Sequence, residues 1–328
     1  MIVVTGGAGF IGSNLIAGLE ARGAGEIAVV DWLGNEGKWR NLAKREIHAL
    51  VPPEETLAFL DGARERIDTI FHLGAISSTT ETDADLIART NVALPQKLWA
   101  LAAERGWRLI YASSAATYGG GEAGFDDDGS IEGLAKLRPM NAYGWSKHAF
   151  DRFVARQAAG NAKRPRQWAG LKFFNVYGPN EYHKGSMRSV VHQIQPRIAA
   201  GEAARLFKSH RPDYPDGGQK RDFIWVGDCV DVMLWLYDHP NVNGLFNCGT
   251  GQARSFEDLA LAVFAAAGKP SKLAYIDMPP EIRTRYQYFT EARMDRLRAA
   301  GYTKPFTALE DGVARYVRGY LAAGDPYV

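Results

Sequence analysis

Cysteine is scarce, long apolar runs are missing and neither sign of charge prevails, and each shortage removes a class of protein. Two cysteines, Cys229 and Cys248, in 328 residues cannot frame a disulfide-stapled fold, and both sit in apolar surroundings that suit reduced, buried thiols. No apolar stretch approaches the ~20 residues that a bilayer span requires. With a β-branched run starting at residue 2, no leader peptide is expected. A cytoplasmic protein with no membrane partner is the expectation. With 39 basic and 37 acidic side chains and no long run of either, the net charge of +2 gives no reason to expect nucleic acid. Arg164-Pro165-Arg166 reads as a solvated loop. No internal repeat or low-complexity tract is present, and 46% hydrophobic content is ample for the core of one large domain or two modest ones. No metal is expected.

What is present begins at the N-terminus. Ile2-Val3-Val4-Thr5 reads as a strand, followed at once by Gly6, then Gly7-Ala8-Gly9-Phe10-Ile11-Gly12 and a helical apolar pattern through Ile16 and Leu19. Glycines let the backbone turn tightly and approach a pyrophosphate, whose charge meets the unpaired N–H groups of a helix start. A second strand, Ile27-Ala28-Val29-Val30, ends in Asp31, nineteen residues after Gly12. That is close to the ~20 expected of a carboxylate that hydrogen-bonds an adenosine ribose. Dinucleotide binding is therefore predicted.

A second constellation is chemical. In Tyr143-Gly144-Trp145-Ser146-Lys147 a phenol and an ammonium lie four residues apart, on one face of a helix. The cation is expected to lower the phenol's pKa and make it a usable base. Ser114 closes the apolar run Ile110-Tyr111-Ala112-Ser113-Ser114, which reads as a buried strand that delivers a hydroxyl to its carboxyl end. Ser114, Tyr143 and Lys147 together suit oxidation of a carbinol, with the phenolate taking the hydroxyl proton while a cofactor takes the hydride.

Strands and helices alternate through the first half: Thr69–His72 reads as a strand, 84–105 as largely helical and 108–113 as another strand. That rhythm predicts an α/β fold: a Rossmann doubly wound parallel sheet with a smaller mixed α/β C-terminal substrate domain. Residues 1–175 are assigned to the dinucleotide-binding domain, with roughly 223–250 packing back on it, and 176–328 mainly to substrate binding. Pro179, Pro196, Pro212 and Pro215 punctuate the less regular second half, and Ser209 to Gln219 reads as a mobile surface loop. Farther on, 244–251 reads as a strand and turn, and Ser255 with Asp258 as a helix cap.

Several segments narrow the reading: residues 1–14, Ser77-Ser78-Thr79-Thr80-Glu81, the stretch Tyr111 to Gly120, and Phe174-Asn175-Val176-Tyr177-Gly178-Pro179 followed by His183-Lys184-Gly185-Ser186-Met187. Over nearly its whole length the chain resembles the extended short-chain dehydrogenase/reductase superfamily and, within it, the ADP-glyceromanno-heptose 6-epimerase family. The segment 183–187 is the most specific of these. The resemblance implies inversion at C6 of an ADP-heptose, a small-molecule substrate, for the inner core of lipopolysaccharide, and a homo-oligomer, typically a pentamer.

The same resemblance implies the site. Tyr143 and Lys184 are the paired acid/bases, while Lys147 holds the nicotinamide ribose. Two groups are useful because a carbonyl that has turned over a fixed nicotinamide no longer presents its oxygen to the phenol. Read from the residues alone, Lys184 is a loop lysine on a diphosphate. Cofactor contacts are implied at Gly6, Gly7, Gly9, Phe10, Ile11, Gly12, Asp31, Trp32, Lys38, Leu73, Gly74, Ala75, Ile76, Ser77, Asn91, Lys147, Val176 and Lys184, with packing as the other role of Phe10, Ile11 and Val176. Asp31 alone favours NAD, whereas Lys38 and Arg40 can neutralise a 2′-phosphate; the family prefers NADP, which is the expectation here, tightly held.

For the substrate the resemblance implies Ser78, Ser114, Asn175, Ser186, Gln193, Phe207, Lys208, Ser209, His210, Arg221 and Tyr286. Arg221 has the clearest physics, since a guanidinium forks onto a diphosphate, and a surface salt bridge to Asp222 is its alternative. The chain departs from the family in Gln193, where a histidine is usual, in Leu73, where an acid is usual, and in a longer 209–219 loop. Other superfamily chemistries fit less well. Ala115-Ala116-Thr117-Tyr118 lacks the acid pair of a dehydratase, a 4-epimerase would leave Lys184 idle, and a regulatory binder has no need of Ser114, Tyr143 and Lys147.

Overall fold

The computed structural model describes residues 1–283 and 286–328, and of residues 281 and 282 the backbone alone. Short apolar runs, rich in Val, Ile and Leu, form a seven-stranded sheet in the order β10-β6-β5-β4-β1-β2-β3. Its strands are β1 Ile2–Thr5, β2 Ile27–Val30, β3 Ala49–Val51, β4 Thr69–His72, β5 Arg108–Ser114, β6 Gln167–Phe173 and β10 Gly244–Cys248, every neighbouring pair parallel. Side chains alternate between two buried faces: Val3, Ile70 and Leu109 pack on one, Val4, Phe71 and Ile110 on the other.

Helices cover both faces. Those used below are α1 Phe10–Ala21, α2 Leu94–Arg105, α3 Ala142–Ala159, α4 Val190–Ala199, α5 Val226–Asp238, α6 Phe256–Ala267 and α7 Leu309–Tyr316. Gly18 of α1 faces α5 so closely that a Cβ there would lie 2.8 Å from Val230. Between Ala84 and Arg105 the helix widens across Ala88–Ala93, just before Pro95, whose missing N–H breaks the regular ladder.

The outer half carries two small sheets. β7 Asn175–Tyr177, β9 Lys220–Trp225 and β11 Ala253–Ser255 form one, and β8 Ala204–Phe207 pairs with β12 Leu273–Ile276. A third core of Tyr177, Val191, Trp225 and Phe264 holds this half together. Ser255 and Asp258 cap α6 reciprocally, with bonds of 2.9 and 3.0 Å. Among the described residues no helix is long and apolar enough to cross a membrane.

Strand order reverses at β1, which pairs with β2 on one side and β4 on the other. In an open parallel sheet ligands bind in the crevice outside the carboxyl ends of the strands at such a point. A cavity of about 690 Å³ lies there.

Candidate active site

The glycine turn after β1 forms one end of this cavity. Gly6 has φ +69°, and a Cβ on it would stand 2.6 Å from the Gly74 nitrogen. A Cβ on Gly12 would lie 2.2 Å from the Gly6 carbonyl. Gly9 opens α1 without a side-chain cap, and Gly9, Phe10, Ile11 and Gly12 line the cavity. Gly7 is turned away, against Val29 of β2.

Asp31 ends β2 at the same place. Its Oδ2 accepts a hydrogen bond from the Ala8 N–H at 2.9 Å, and its Oδ1 pairs with Lys38 Nζ at 2.6 Å. Lys38 also donates to the Trp32 carbonyl at 2.9 Å. Trp32 is half exposed and bonds Glu54, and Arg40 is exposed beside Trp39. Leu73, Gly74, Ala75 and Ser77, after β4, line the cavity. Buried Asn91 stands behind them, where it accepts from Ile76 N and donates to the Ile76 carbonyl, both at 2.9 Å, and to Ser146 of α3 at 3.0 Å. It stitches the 73–77 segment to the helix that carries Tyr143.

That helix is aimed by its own start. Asn141 accepts from Gly144 N at 2.8 Å, and a Cβ on Gly144 would be 2.7 Å from the Ala116 carbonyl, so α3 abuts the turn after β5. Ser114 thereby meets Tyr143, and Lys147 lies one turn deeper. Lys147 is buried and donates to the Ala112 carbonyl at 2.8 Å. The expected tuning has the opposite sign: burial pushes the Tyr143 phenol above its usual value, with only the Ser114 hydroxyl pulling it down. The ammonium is committed to a backbone carbonyl, and burial lowers Lys147 itself to about 8, opposed by Asp151.

Beneath this set lies a dry polar network. Lys172 Nζ is 3.2 Å from Asp151 Oδ2, both fully buried, and donates to Thr117 at 2.6 Å. Asp151 also accepts from Ser113 at 2.7 Å and Tyr111 at 3.3 Å.

Lys184 lines the same cavity from another segment of the chain. It sits on the turn Tyr182–Met187, where Gly185 takes φ +54° and reverses the chain directly after it. Its amine lies 5.1 Å from the centre of the Phe10 ring. Burial lowers its pKa, and the Glu181 carboxylate opposes that. Asn41 ties this turn to the glycine loop by reaching the Ala8 and Asn180 carbonyls at 2.9 and 3.0 Å.

Asn175, Val176, Arg221 and Tyr286 complete the lining. Arg221 is buried, donates to the Lys220 and Gln287 carbonyls, and lies 5.6 and 5.3 Å from the Phe256 and Tyr286 rings. It makes no salt bridge to Asp222. Strand alternation sends that carboxylate to the other face, where it accepts from Thr250, Gly251 and Ala292. Several expected contacts stand outside the lining. Ser78 is half-buried, and Ser186 and Gln193 are exposed; Gln193 donates to the Ser186 and Arg188 carbonyls. Phe207, Lys208, Ser209 and His210 lie in and beside the 209–219 loop, which is braced by Ser209 N–Asp216, Arg211–Asp213 and His210 N–Tyr288 bonds.

Sequence reasoning passed over Met140, Gln287 and Thr290, which also line the cavity, and quoted His183, another lining residue, without giving it a role. Gln287 donates to the Gly119 carbonyl at 2.6 Å while its own carbonyl takes the Arg221 guanidinium. Only the third dimension brings it there.

Residues 2–249 match the model of the NAD dependent epimerase/dehydratase family. The chain is 49% identical to the ADP-L-glycero-D-manno-heptose-6-epimerase of Nitratidesulfovibrio vulgaris, with both chains covered completely. It belongs to this epimerase family. The homologue from Fusobacterium nucleatum is 45% identical, again over the full length of both. The crystal structure of the Helicobacter pylori ADP-L-glycero-D-manno-heptose-6-epimerase superposes with a TM-score of 0.80 at 28% identity, covering 98% of this chain and 96% of that one. Thermus thermophilus UDP-glucose 4-epimerase, in complex with NAD, superposes with a TM-score of 0.74 at 26% identity, with 98% and 99% covered.

Proposed function

We propose that this protein interconverts the two C6 epimers of ADP-glycero-β-D-manno-heptose, using Tyr143 and Lys184 as acid/bases on opposite sides of the transiently oxidised carbon. The observation that carries the reading is that Ser114, Tyr143 and Lys147 share one cavity with Lys184, which the turn Tyr182–Met187 brings to it. A single phenol would suffice for simple oxidation. An amine opposite it suits an oxygen that changes sides.

The glycine turn, with no room for a Cβ at Gly6 or Gly12 and Asp31 at the strand end, fits a dinucleotide. When bound, the nicotinamide cofactor supplies the place where a hydride is parked and from which it is returned. The chain's own residues do the rest. Ser114 hydrogen-bonds the reacting oxygen and draws down the phenol that burial raises, and Tyr143 in its phenolate form takes the hydroxyl proton as the C–H bond breaks. Lys184 exchanges the proton once the ketone has turned. Arg221, with its guanidinium 5.6 and 5.3 Å from the Phe256 and Tyr286 rings, receives the diphosphate in forked geometry. NADP is the proposed cofactor, because Lys38 already neutralises Asp31 and Arg40 is free in solvent nearby, so a 2′-phosphate meets net positive charge. A homo-oligomeric assembly and a role in lipopolysaccharide precursor synthesis belong to the same proposal, by kinship.

The test is incubation of the purified protein with ADP-D-glycero-manno-heptose and separation of the C6 epimers. Epimerisation without net cofactor reduction is expected, slowed about 10²- to 10⁴-fold by Tyr143→Phe and by Lys184→Met. Stoichiometric accumulation of reduced cofactor would make the protein a dehydrogenase. A Lys184→Met enzyme with normal kcat and raised KM would reduce that lysine to a binding group.

A further inference from the structure

Glu181 takes no part in the reaction as described, yet it is wholly buried immediately before the turn that carries Lys184. Its carboxylate accepts from both the N–H and the hydroxyl of Ser189, the cap of α4, and from Tyr316 of α7 at 3.0 Å. Its carbonyl accepts from Lys184 N at 3.0 Å. A turn can be anchored by apolar packing, and burying a carboxylate is costly unless partners and an opposite charge meet it. Burial pushes the Glu181 carboxyl above its usual range, and the Lys184 charge and the bonds from Ser189 and Tyr316 oppose that and favour the carboxylate. The other titratable groups around it are Tyr182 of the same turn and Tyr316. Among the described residues no carboxylate comes within ion-pair distance of the Lys184 amine, and Glu181 is the one whose charge is felt there. A direct salt bridge would occupy the amine. A carboxylate pinned elsewhere leaves it free.

We propose that Glu181 is a positioning residue for Lys184: pinned by Ser189 and Tyr316, it fixes the turn that presents the amine and sets against it a negative charge that the amine does not touch. This rests on Lys184 as the second acid/base. Burial disfavours the ammonium, and the fixed charge resists that loss, so the amine keeps a proton to exchange while facing a desolvated ketone.

Two variants of the full-length protein separate charge from geometry. Glu181→Gln keeps the shape and removes the charge; the titration of the Lys184 amine, read by competitive acetylation and mass spectrometry across pH, is expected to fall by about one unit. Glu181→Asp keeps the charge and withdraws it by one methylene; kcat is expected to drop about 3- to 100-fold with KM within about 2-fold and the amine's titration unmoved. Wild-type titration in Glu181→Gln overturns the electrostatic half, and wild-type kcat in Glu181→Asp overturns the positional half. Should Glu181→Gln not fold, Tyr316→Phe, which removes one pin, carries the test with Glu181→Asp: lowered kcat at unchanged KM supports the assignment, and wild-type turnover in both overturns it. If Lys184→Met itself retains turnover, the acid/base reading fails instead, independently of Glu181.

Discussion

Replacing Lys172 by methionine would leave a charge stranded at a fully buried site. Lys172 and Asp151 are both fully inaccessible and 3.2 Å apart, and the amine also satisfies Thr117 and lies 4.6 Å from the Tyr118 ring. Methionine fills nearly the same volume, so no cavity opens and the loss is electrostatic. Asp151 would retain its bonds to Ser113 and Tyr111 but, among the described residues, no cation within ion-pair distance, with Lys147 acting only from farther off. Breaking a buried pair in this way costs about 3–5 kcal/mol. At roughly 2 °C per kcal/mol for a chain of this size, Tm should fall by about 6–10 °C. Urea unfolding followed by tryptophan fluorescence measures the free energy, and calorimetry the midpoint. The double variant Asp151→Asn/Lys172→Met removes the stranded charge and should recover at least about 1 kcal/mol of the loss. A single variant destabilised by less than about 1 kcal/mol, or a double variant worse than the single, would refute the assignment of Asp151 as an ion held by Lys172.

Three further outcomes are expected. Burial lowers His72 to about 3 from its ordinary 6.5, so its contribution is present above pH 6.5 and is lost as pH falls towards 3; the stability advantage of wild type over His72→Gln should shrink by about 2 kcal/mol between pH 7 and 5. Urea titrations at the two pH values check this, and an advantage that widens contradicts it. Gly12→Ala would set a methyl 2.2 Å from the Gly6 carbonyl, so cofactor affinity, read by fluorescence titration, should fall at least about 10-fold with a stability loss of about 1–3 kcal/mol. Lys38→Ala leaves Asp31 unopposed and should cost NADP at least about 10-fold in affinity while NAD changes by less than about 3-fold; equal losses for both would deny Lys38 a role in discrimination.

The features legible in the sequence were those whose geometry is local. The Gly6–Gly12 spacing dictates a turn and a helix start, Asp31 ends its strand, and Tyr143 and Lys147 share a helical face whatever surrounds them. Alternation of strands and helices predicted a parallel sheet, but the order of its strands is a finding of the fold. Quantities set by several elements at once were not legible. The sign of the Tyr143 shift depends on burial and on Ser114, not on the lysine four residues away. Glu181 and Gln287 gain their partners from Tyr316 and Gly119, more than a hundred residues distant in the chain. Arg221 and Asp222 are the reverse case: the strand period of two already separates neighbours onto opposite faces, so a pair between them was the less physical alternative. The 209–219 segment reads as loose by composition because its bracing by Asp216, Asp213 and Tyr288 is a matter of folded geometry.

The pairing of β10 with β6 has a consequence for how the polypeptide is made. During synthesis, β6 leaves the ribosome long before Gly244–Cys248 does, and until then its outer row of amide and carbonyl groups is open to any passing strand. An expression product terminated near residue 175 would freeze that nascent condition, and aggregation rather than a trimmed nucleotide-binding module is what such a truncation should yield.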